Sequence, residues 1–472
     1  MNKNFFKKNK LILIILALTI ILRLPSLFEP NRYADEDIYL TLGQGLKKGL
    51  VFYRDIHDNK PPLLYAVAAI AGNVPAFRLI LLFWNLINVY FIWLISQKLF
   101  KKSSYRLIPT FLFAIFSSIP LTEGNIANGE IFMIMPTTVA VFLLLSKSHY
   151  FLSGLLFAAA FLFKVPVVFE FATLVFWLTF YQHKKIIKIV SLIIGFILPI
   201  AATIVYYYSV SAGQPYVQAA LLQNVGYLSS WQASSQPFYQ SGLFVRAAIT
   251  LILIFLIYFN RHRFDKKFGL IVCWFVGALF GALLSGRPYP HYLIEILPPI
   301  VFLVTYRLIK KNHLISIFSS LLIFLTIFSL FYYNFWYYKS LPYYKNFIQY
   351  SLGKIDKQTF YRFWGDSVIT NYQVARYVQD RTQPDQPIFV WGTQPAIYAI
   401  SNRLPVGRYT VSYHIADFDG YLDTITKLKT TLPKFIIYAN TPGENFDQLD
   451  DLVSKYYFLD NQIDTVLIYQ KR

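Results

Sequence analysis

Residues 150–181 read YFLSGLLFAAAFLFKVPVVFEFATLVFWLTFY, an apolar run interrupted in the middle by FKVPVVFE. As one long helix, this run would place Lys164 near the centre of a lipid bilayer, where a charge is costly. A turn at Val165–Pro166 instead gives two short helices and leaves Lys164 near one face of the membrane. The run therefore predicts a helical hairpin rather than a single span.

The composition of the whole chain indicates a membrane protein. Of its 472 residues, 56% are hydrophobic and only 14% are charged, whereas a soluble domain carries about 25% charged residues. A single cysteine, Cys273, excludes an intrachain disulfide framework and a cysteine metal site. The net charge of +20 comes from basic residues in short loops between apolar segments, as is typical of membrane proteins, so no nucleic-acid partner is expected.

Apolar stretches of about 20 residues predict membrane helices. Together with the two arms of the hairpin, they give eleven spans, the other nine lying near 10–28, 78–99, 106–121, 130–147, 186–208, 243–260, 268–285, 291–308 and 313–333. The stretch 61–72 is not counted. At 1.5 Å per residue it reaches only about 18 Å, against a hydrocarbon core of roughly 30 Å, so we expect a short helix in one interface.

The loop charges set the orientation of these spans. Every second junction is basic: KKNK, KKSSYR, SKSH, QHKK, RHRFDKK and RLIKKNH. The positive-inside rule places these junctions and the N-terminus in the cytoplasm of a multi-pass cell-membrane protein. The alternate loops and the C-terminal region then lie outside the cytoplasm, and the aromatic stretch FYYNFWYYKSLPYY after the last span forms a belt at that outer interface.

The composition changes near residue 340. The segments QPIFVWGT, KFIIYAN and TVLIYQ are typical of short buried strands, and NYQVARYVQD, GYLDTITKLKTT and FDQLDDLVSKYY of helices between them. The sequence therefore predicts an all-α polytopic membrane domain, residues 1–340, with about eleven transmembrane helices. A small extracytoplasmic α/β domain follows, residues 341–472.

The first outer loop, residues 29–77, contains a further helix pattern. Asp35 can cap a helix whose first turn carries Glu36 and Asp37, where negative charge is favourable. An apolar stripe suited to an interfacial helix follows at Ile38, Leu42 and Leu46. The residues Lys47–Gly49 are typical of a helix end. A capped amphipathic helix with solvated acids is the structural alternative to a functional site.

Lys60 immediately precedes two prolines in the same loop. Proline pushes the residue before it out of the helical region, and Pro61 or Pro62 is well placed to begin a helix. Lys60 then stands at the positive end of that helix, where a cation is unfavourable unless an anion accompanies it. At the headgroup level the expected anion is a phosphate, and the alternative is an ordinary lysine snorkelling to the interface.

Other cations are expected at the same outer layer. Lys164 has Glu170 as a candidate partner, and Arg287 lies in GRPYPHY beside His291 and Tyr292. Each of them is alternatively an interfacial anchor, which is the favoured interpretation for Arg23 at the outer end of the first span. Several cations facing acidic loops nevertheless favour one site that combines phosphate ligands with acids.

Two more outer segments carry candidate ligand-binding residues. In the loop EGNIANGE, Asn125, Asn128 and Glu130 either hydrogen-bond a polyhydroxylated ligand or simply form a capped loop. His291 has no partner at metal-ligand spacing, so a hydrogen-bonding role is expected for it. The sequence also contains no Walker A loop, no GxGxxG motif and no GxSxG elbow. It therefore gives no support for nucleotide binding or serine hydrolase chemistry.

In motif order, the segments ADEDIYLTLGQGL, VFYRDIHDNKPPLLY, NIANGEIFMIMP, FLFKVP and GRPYPHYLIEILPP resemble the GT-C superfamily of integral-membrane glycosyltransferases. The branch they resemble contains protein O-mannosyltransferases, aminoarabinose lipid A transferases and RgtA/B/C/D-type sugar transferases. The resemblance covers about residues 10–310. It implies inverting transfer of a sugar from a polyprenyl-phosphate carrier to an acceptor hydroxyl outside the cytoplasm.

The resemblance also implies roles for particular residues. Asp35 matches the aspartate that acts as base or orients the acceptor, Glu36 matches the adjacent acid, and Lys60 matches a ligand of the carrier phosphate. Lys164 and Arg287 are expected to assist Lys60. The remaining substrate contacts are expected at Asp58, Asn128, Glu130, His291 and Tyr292.

One departure from the family concerns a cofactor. Aminoarabinose transferases have a metal-binding glutamate where this chain has Asn59. A divalent metal is therefore only an open alternative here, and transfer of a common hexose is expected rather than transfer to lipid A.

Two other functional classes remain as alternatives. A lipid-linked oligosaccharide flippase or polymerase would place ionisable residues at mid-membrane and show paired halves. A non-catalytic membrane scaffold predicts that Asp35 and Lys60 are dispensable. The sequence does not distinguish a glycan, a lipid or a protein as the acceptor.

Overall fold

The computed structural model describes residues 3–146, 149–181, 185–223, 242–309, 312–439 and 445–472. Three of the basic junctions, SKSH, QHKK and RLIKKNH, lie partly outside the described residues. The chain is mostly helical, with one small sheet near its C-terminus.

The helices of residues 3–332 follow the predicted spans closely. They are α1 Lys3–Arg23, α2 Ala34–Lys47, α3 Leu63–Ala71, α4 Val74–Leu99, α5 Ser103–Phe116, α6 Gly129–Leu145, α7 Tyr150–Phe163, α8 Val167–Tyr181, α9 Lys185–Ser209, α10 Gly213–Tyr216, α11 Gly242–Asn260, α12 Lys266–Ala282, α13 Leu297–Ile309 and α14 His313–Tyr332. Among the described residues, every predicted span corresponds to one of these helices; α2, α3 and α10 are the helices outside that set.

The apolar helices differ in length. Five described segments are long and apolar enough to cross a membrane: Lys10–Phe28, α4, α9, α11 and α14. The other helices that match predicted spans, α5–α8, α12 and α13, contain 13 to 17 residues. At 1.5 Å per residue they reach about 20–25 Å, less than the roughly 30 Å of a hydrocarbon core.

The hairpin predicted at Val165–Pro166 is confirmed. Helix α7 ends at Phe163, Lys164 is extended, and α8 begins at Val167. Helix α7 also approaches α9 closely, because a Cβ on Gly154 would lie 2.2 Å from the carbonyl oxygen of Leu192. A side chain at that position would force the two helices apart.

The chain forms two compact units. The first unit comprises Met1–Leu24, Ile80–Val205 and Leu221–Ser340, and the second comprises Pro25–Leu79, Tyr206–Ala220 and Leu341–Arg472. The first outer loop thus belongs to the same unit as the C-terminal region, although the sequence assigned it to the domain 1–340.

Helix α2 is not the interfacial helix that its apolar stripe predicted. It is buried from Glu36 to Gly45, on every face and not only along the stripe. Within the second unit, a Cβ on Gly43 would lie 2.6 Å from the backbone nitrogen of Ala69 in α3. The predicted end of the helix is correct, since α2 stops at Lys47 and Gly49 has a φ of +85°.

The C-terminal region has the predicted α/β character. Its helices are α15 Ser340–Ser351, α16 Lys357–Arg362, α17 Asp366–Gln379, α18 Ala396–Ser401, α19 Ser412–Asp417, α20 Tyr421–Thr431 and α21 Asp447–Tyr456, and its strands are β1 Phe389–Gly392, β2 Phe435–Ala439, β3 Tyr457–Ile463 and β4 Val466–Lys471. The sheet order is β1-β2-β4-β3, with β1 parallel to β2 and the other pairs antiparallel. Strands β1, β2 and β4 confirm the three predicted strands, whereas β3 was not predicted.

Strands β1 and β2 are largely buried on both faces of the sheet. In β1, Phe389 and Trp391 pack into one apolar cluster, and Val390 packs into the other. Since successive side chains of a strand point to opposite faces, helices cover the sheet on both sides.

Candidate active site

The first turn of α2 presents Asp35 beside Lys60. The carboxylate oxygen Oδ2 of Asp35 accepts a hydrogen bond from the Tyr39 hydroxyl at 2.9 Å and lies 3.8 Å from Nζ of Lys60. Residues four apart share one face of a helix, which explains the Asp35–Tyr39 contact. The side chains of Asp35 and Lys60 are 30% and 16% exposed, so a ligand can reach both.

The predicted capping role of Asp35 is wrong. Helix α2 begins two residues earlier than expected, and its N-cap position is taken by Tyr33 in an extended conformation. Asp35 therefore lies inside the first turn, where its carboxylate contacts Tyr39 and Lys60 as described above.

Lys60 lies just before the short helix α3, as predicted, with Pro62 at the N-cap position. Its ammonium group is 3.9 Å from Oδ2 of Asp58 and 5.0 Å from the centre of the Tyr39 ring. Its carbonyl oxygen accepts a hydrogen bond from the Tyr53 hydroxyl at 2.8 Å. Two carboxylates thus offset the charge of Lys60, so this charge by itself does not require a phosphate.

Asp58 is completely buried beneath this contact. It accepts a hydrogen bond from the backbone N–H of Asn59 at 2.6 Å, and its Oδ1 lies 4.0 Å from Nε2 of His414. Burial alone would raise the pKa of Asp58, but the charge of Lys60 holds it below its usual value. Asp58 is therefore a fixed negative charge, and His414 is a neighbour that the sequence did not suggest.

Glu36 is buried and points into an ion pair. Arg78 donates from Nε to one oxygen of Glu36 at 2.9 Å and from Nη2 to the other, and Arg78 also lies 2.8 Å from Glu29. Both Glu36 and Arg78 are at most 1% exposed. This geometry favours a positioning role for Glu36 over a catalytic one. The sequence analysis did not identify Arg78 as a partner of Glu36. Arg78 is the only charged residue in the apolar stretch 74–97, and such an isolated charge indicates a buried partner.

Asp37, the third acid of this turn, is kept protonated by its surroundings. It is buried and accepts a hydrogen bond from the side-chain amide of Asn31. Burial raises its pKa to about 8, with a further contribution from the nearby Glu36. Asp37 therefore differs from Asp58 in carrying little charge at neutral pH.

The first unit contains a second polar cluster around Lys164. The ammonium group of Lys164 lies 2.7 Å from Oε1 of Glu130 and 5.4 Å from the centre of the Tyr292 ring. His291 contacts Glu123 through Nδ1 and lies 4.0 Å from Glu130 through Nε2. The structure thus brings together Lys164, Glu130, His291 and Tyr292, which the sequence proposed separately, and adds Glu123 as a close partner of His291.

Two predictions about the first unit are wrong. Glu170 is not the partner of Lys164, because its carboxylate accepts a hydrogen bond from the indole N–H of Trp274. Arg23 is not an interfacial anchor, because it is fully buried and donates hydrogen bonds of 2.7 Å to the carbonyl oxygens of Ser117 and Gly124. The partners of Glu170 and of Arg23 come from distant parts of the chain, so local sequence patterns could not reveal them.

Two remaining predicted site residues also lie in the first unit. Asn128 is buried at the N-cap position of α6, but its side chain makes no capping hydrogen bond. Arg287 is partly buried, and its backbone N–H donates to the hydroxyl of Ser285 at 3.3 Å.

The described residues do not fit a catalytic metal. They contain no group of three or more His, Cys, Asp or Glu side chains arranged to hold a metal ion. Lys60 lies within 4 Å of both Asp35 and Asp58, so its ammonium group already balances those carboxylates.

No protein-family model matches the chain, and no curated protein matches it. Two solved structures of ArnT from Cupriavidus metallidurans are similar to it. The structure bound to undecaprenyl phosphate has a TM-score of 0.57 and the apo structure one of 0.58, each at 11% sequence identity over 98% of both chains. At this identity the likeness concerns the fold alone. Over nearly its whole length, therefore, the chain has the same fold as these two ArnT structures.

Proposed function

We propose that this protein is an inverting glycosyltransferase that moves a sugar from a polyprenyl-phosphate carrier to an acceptor hydroxyl on the extracytoplasmic face of the cell membrane. The observation that supports this proposal best is the partly exposed pair Asp35–Lys60, with Oδ2 and Nζ 3.8 Å apart. The pair lies in a chain whose fold is that of ArnT, a protein crystallised with undecaprenyl phosphate.

Asp35 serves as the general base in this proposal. The acceptor hydroxyl attacks the anomeric carbon from the face opposite the phosphate, and its proton passes to the Asp35 carboxylate. A new glycosidic C–O bond forms while the bond to the phosphate oxygen breaks, and the phosphate leaves with the electron pair. Tyr39 orients the base through its hydrogen bond to Oδ2. General base catalysis typically contributes about 10²–10⁴-fold in rate.

The cations stabilise the departing phosphate. Negative charge develops on the phosphate oxygens in the transition state, and Lys60 is the cation beside the base. Lys164 and Arg287 are proposed as further phosphate ligands. Removing one such contact typically costs roughly 3–4 kcal/mol of transition-state stabilisation, or about 10²–10³-fold in rate.

The other polar residues are proposed to bind the substrates. Glu130 and His291 can accept and donate hydrogen bonds to sugar hydroxyls, and Tyr292 offers an aromatic face beside Lys164. Asn128 joins them as a hydrogen-bonding side chain. Asp58 acts from beneath, as the buried charge that holds Lys60.

Donor recognition can be tested by binding, without knowledge of the sugar. Undecaprenyl phosphate is titrated into the purified protein in detergent and the bound fraction is measured by native mass spectrometry. We expect Lys60→Ala and Lys164→Ala to weaken binding at least tenfold. Lys345→Ala, which changes an exposed lysine on α15, serves as the matched control and should bind normally. Binding by Lys60→Ala equal to that of the wild type would remove Lys60 from the phosphate site.

The acceptor can be identified in cells. Mass spectrometry of surface glycans from a deletion strain should show the loss of one sugar substituent, and complementation with the wild-type chain should restore it. An unchanged glycan profile would favour the non-catalytic scaffold.

A further inference from the structure

We propose that His414, in the C-terminal region, is a positioning residue for the transfer reaction, acting on Lys60 through Asp58. This inference rests on the function proposed above and extends it to a residue outside the motifs of the first outer loop. All three side chains belong to the second unit.

The first step is the contact between His414 and Asp58. Nε2 of His414 lies 4.0 Å from Oδ1 of Asp58, and the other oxygen of Asp58 lies 3.9 Å from Nζ of Lys60. Asp58 is therefore flanked by His414 on one side and Lys60 on the other. At 4.0 Å the imidazole is beyond direct hydrogen-bond length, so it acts on Asp58 through packing and electrostatics.

A backbone hydrogen bond links the segment that precedes Asp58 to the segment that precedes His414. The N–H of His57 donates a 2.9 Å hydrogen bond to the carbonyl oxygen of Arg408. The ring of Phe418 then lies 4.7 Å from that of His57 and 5.3 Å from that of His414, measured between centroids. The segment from Arg408 to Phe418 is thus fixed against the residues that precede Lys60.

His414 is a buried polar side chain whose presence needs an explanation. His414 is only 6% exposed, and among the described residues its Nδ1 has no hydrogen-bond partner. Leaving a buried polar group without a partner typically costs about 1–3 kcal/mol. An apolar ring would fill the same space without that cost, so stability alone does not account for a histidine here.

The charges around His414 define what it contributes. Burial lowers its pKa, Asp58, Asp35 and Asp417 oppose that shift, and Lys60 adds to it. His414 is consequently neutral at neutral pH and does not compete with Lys60 for Asp58. It confines the Asp58 carboxylate in a dry environment, where the attraction between Asp58 and Lys60 is strengthened.

The test uses the full-length protein in detergent and follows the reactivity of Lys60. An amine-reactive reagent is applied for increasing times, and modification is quantified by peptide mass spectrometry, with Lys427 of the same chain as an internal reference. Lys427 is 39% exposed and lies on α20. The variants are His414→Ala, His414→Gln and the control His262→Ala, which changes an exposed histidine of the first unit.

We expect His414→Ala to raise the modification rate of Lys60 several-fold relative to Lys427 and to increase KM for the lipid-linked donor more than it lowers kcat. His414→Gln retains size and polarity, so its Lys60 modification rate should lie between those of the wild type and His414→Ala. This variant also provides the test if His414→Ala does not fold. His262→Ala should leave the Lys60/Lys427 ratio unchanged.

An unchanged Lys60/Lys427 ratio in folded His414→Ala or His414→Gln protein would overturn the positioning role. Because modification of Lys60 requires no sugar transfer, this result is independent of whether the proposed reaction occurs. Failure of the proposed function would instead appear as the absence of sugar transfer by the wild-type protein, whatever the Lys60/Lys427 ratio in the His414 variants.

Discussion

Arg78 binds both carboxylate oxygens of Glu36, with its Nε 2.9 Å from Oε1. Glu36 follows Asp35 directly, so this buried pair fixes the helical turn that carries the proposed base. Glu29 extends the network, since it contacts Arg78 at 2.8 Å and accepts a 2.6 Å hydrogen bond from the hydroxyl of Tyr343. The turn is thus held by buried charges on one side while Asp35 stays accessible on the other.

The first prediction follows from this network. Glu36→Ala leaves the guanidinium of Arg78 buried with one carboxylate fewer, and breaking a buried ion pair typically costs about 3–5 kcal/mol. We expect a large loss of thermal stability in detergent, measured by the unfolding temperature. Asp366→Ala is the matched control, because it removes an exposed ion pair with Arg362 and should change stability little. Equal effects of the two variants would contradict the structural role of Glu36.

The second prediction concerns the partner of Lys164. The 2.7 Å contact with Glu130 predicts that Lys164→Met and Glu130→Gln are strongly non-additive in unfolding free energy, with a coupling of about 0.5–3 kcal/mol. Lys164→Met combined with Glu170→Gln should be additive, because Glu170 bonds to Trp274. A double-mutant cycle by chemical unfolding distinguishes the two. Coupling to Glu170 rather than to Glu130 would contradict the geometry.

The third prediction is a pH dependence of stability. Burial raises the pKa of Asp37 from 3.8 to about 8. Between these values the folded protein holds a proton that the unfolded chain has lost. The contribution of Asp37 to stability is therefore complete below about pH 4 and declines as the pH rises to about 8, by up to about 1.4 kcal/mol per pH unit.

Asp37→Asn tests this dependence, because the amide is neutral at every pH. Unfolding temperatures measured from pH 5 to pH 9 should fall more steeply for the wild type than for Asp37→Asn. Asp451→Asn, at an exposed position on α21, should follow the wild type. Parallel curves for the wild type and Asp37→Asn would show that Asp37 is not buried as described.

Local sequence patterns predicted the features that depend on a few neighbouring residues. Apolar length predicted nine of the eleven helices, and the cost of a buried lysine predicted the other two as a hairpin that turns at Val165–Pro166. The alternation of apolar residues gave β1, β2 and β4. Strand β3 was missed because its sequence, YFLDNQI, has little apolar character and its side chains are mostly exposed or partly exposed.

The patterns failed where distant parts of the chain decide the environment. The stripe on α2 suggested one buried face, but Gln44 on another face donates a 2.9 Å hydrogen bond to the carbonyl oxygen of Ala399 in α18. Lys164 was matched with Glu170, which is near in sequence, whereas its partner Glu130 comes from another helix. His414 gave no signal because nothing around it in sequence resembles a site.

The measurement that tests the central proposal most directly is sugar transfer by Asp35→Asn in proteoliposomes, with the natural lipid-linked donor supplied in membranes from the source cells. Asparagine keeps the size of the side chain and can still accept a hydrogen bond from Tyr39, but it cannot take the acceptor proton. Asp451→Asn provides the control for the same chemical change at an exposed position. If Asp35 is the base, the Asp35→Asn protein will fold normally and transfer sugar about 10²–10⁴-fold more slowly than the wild type. Transfer at the wild-type rate by folded Asp35→Asn protein would contradict the proposal.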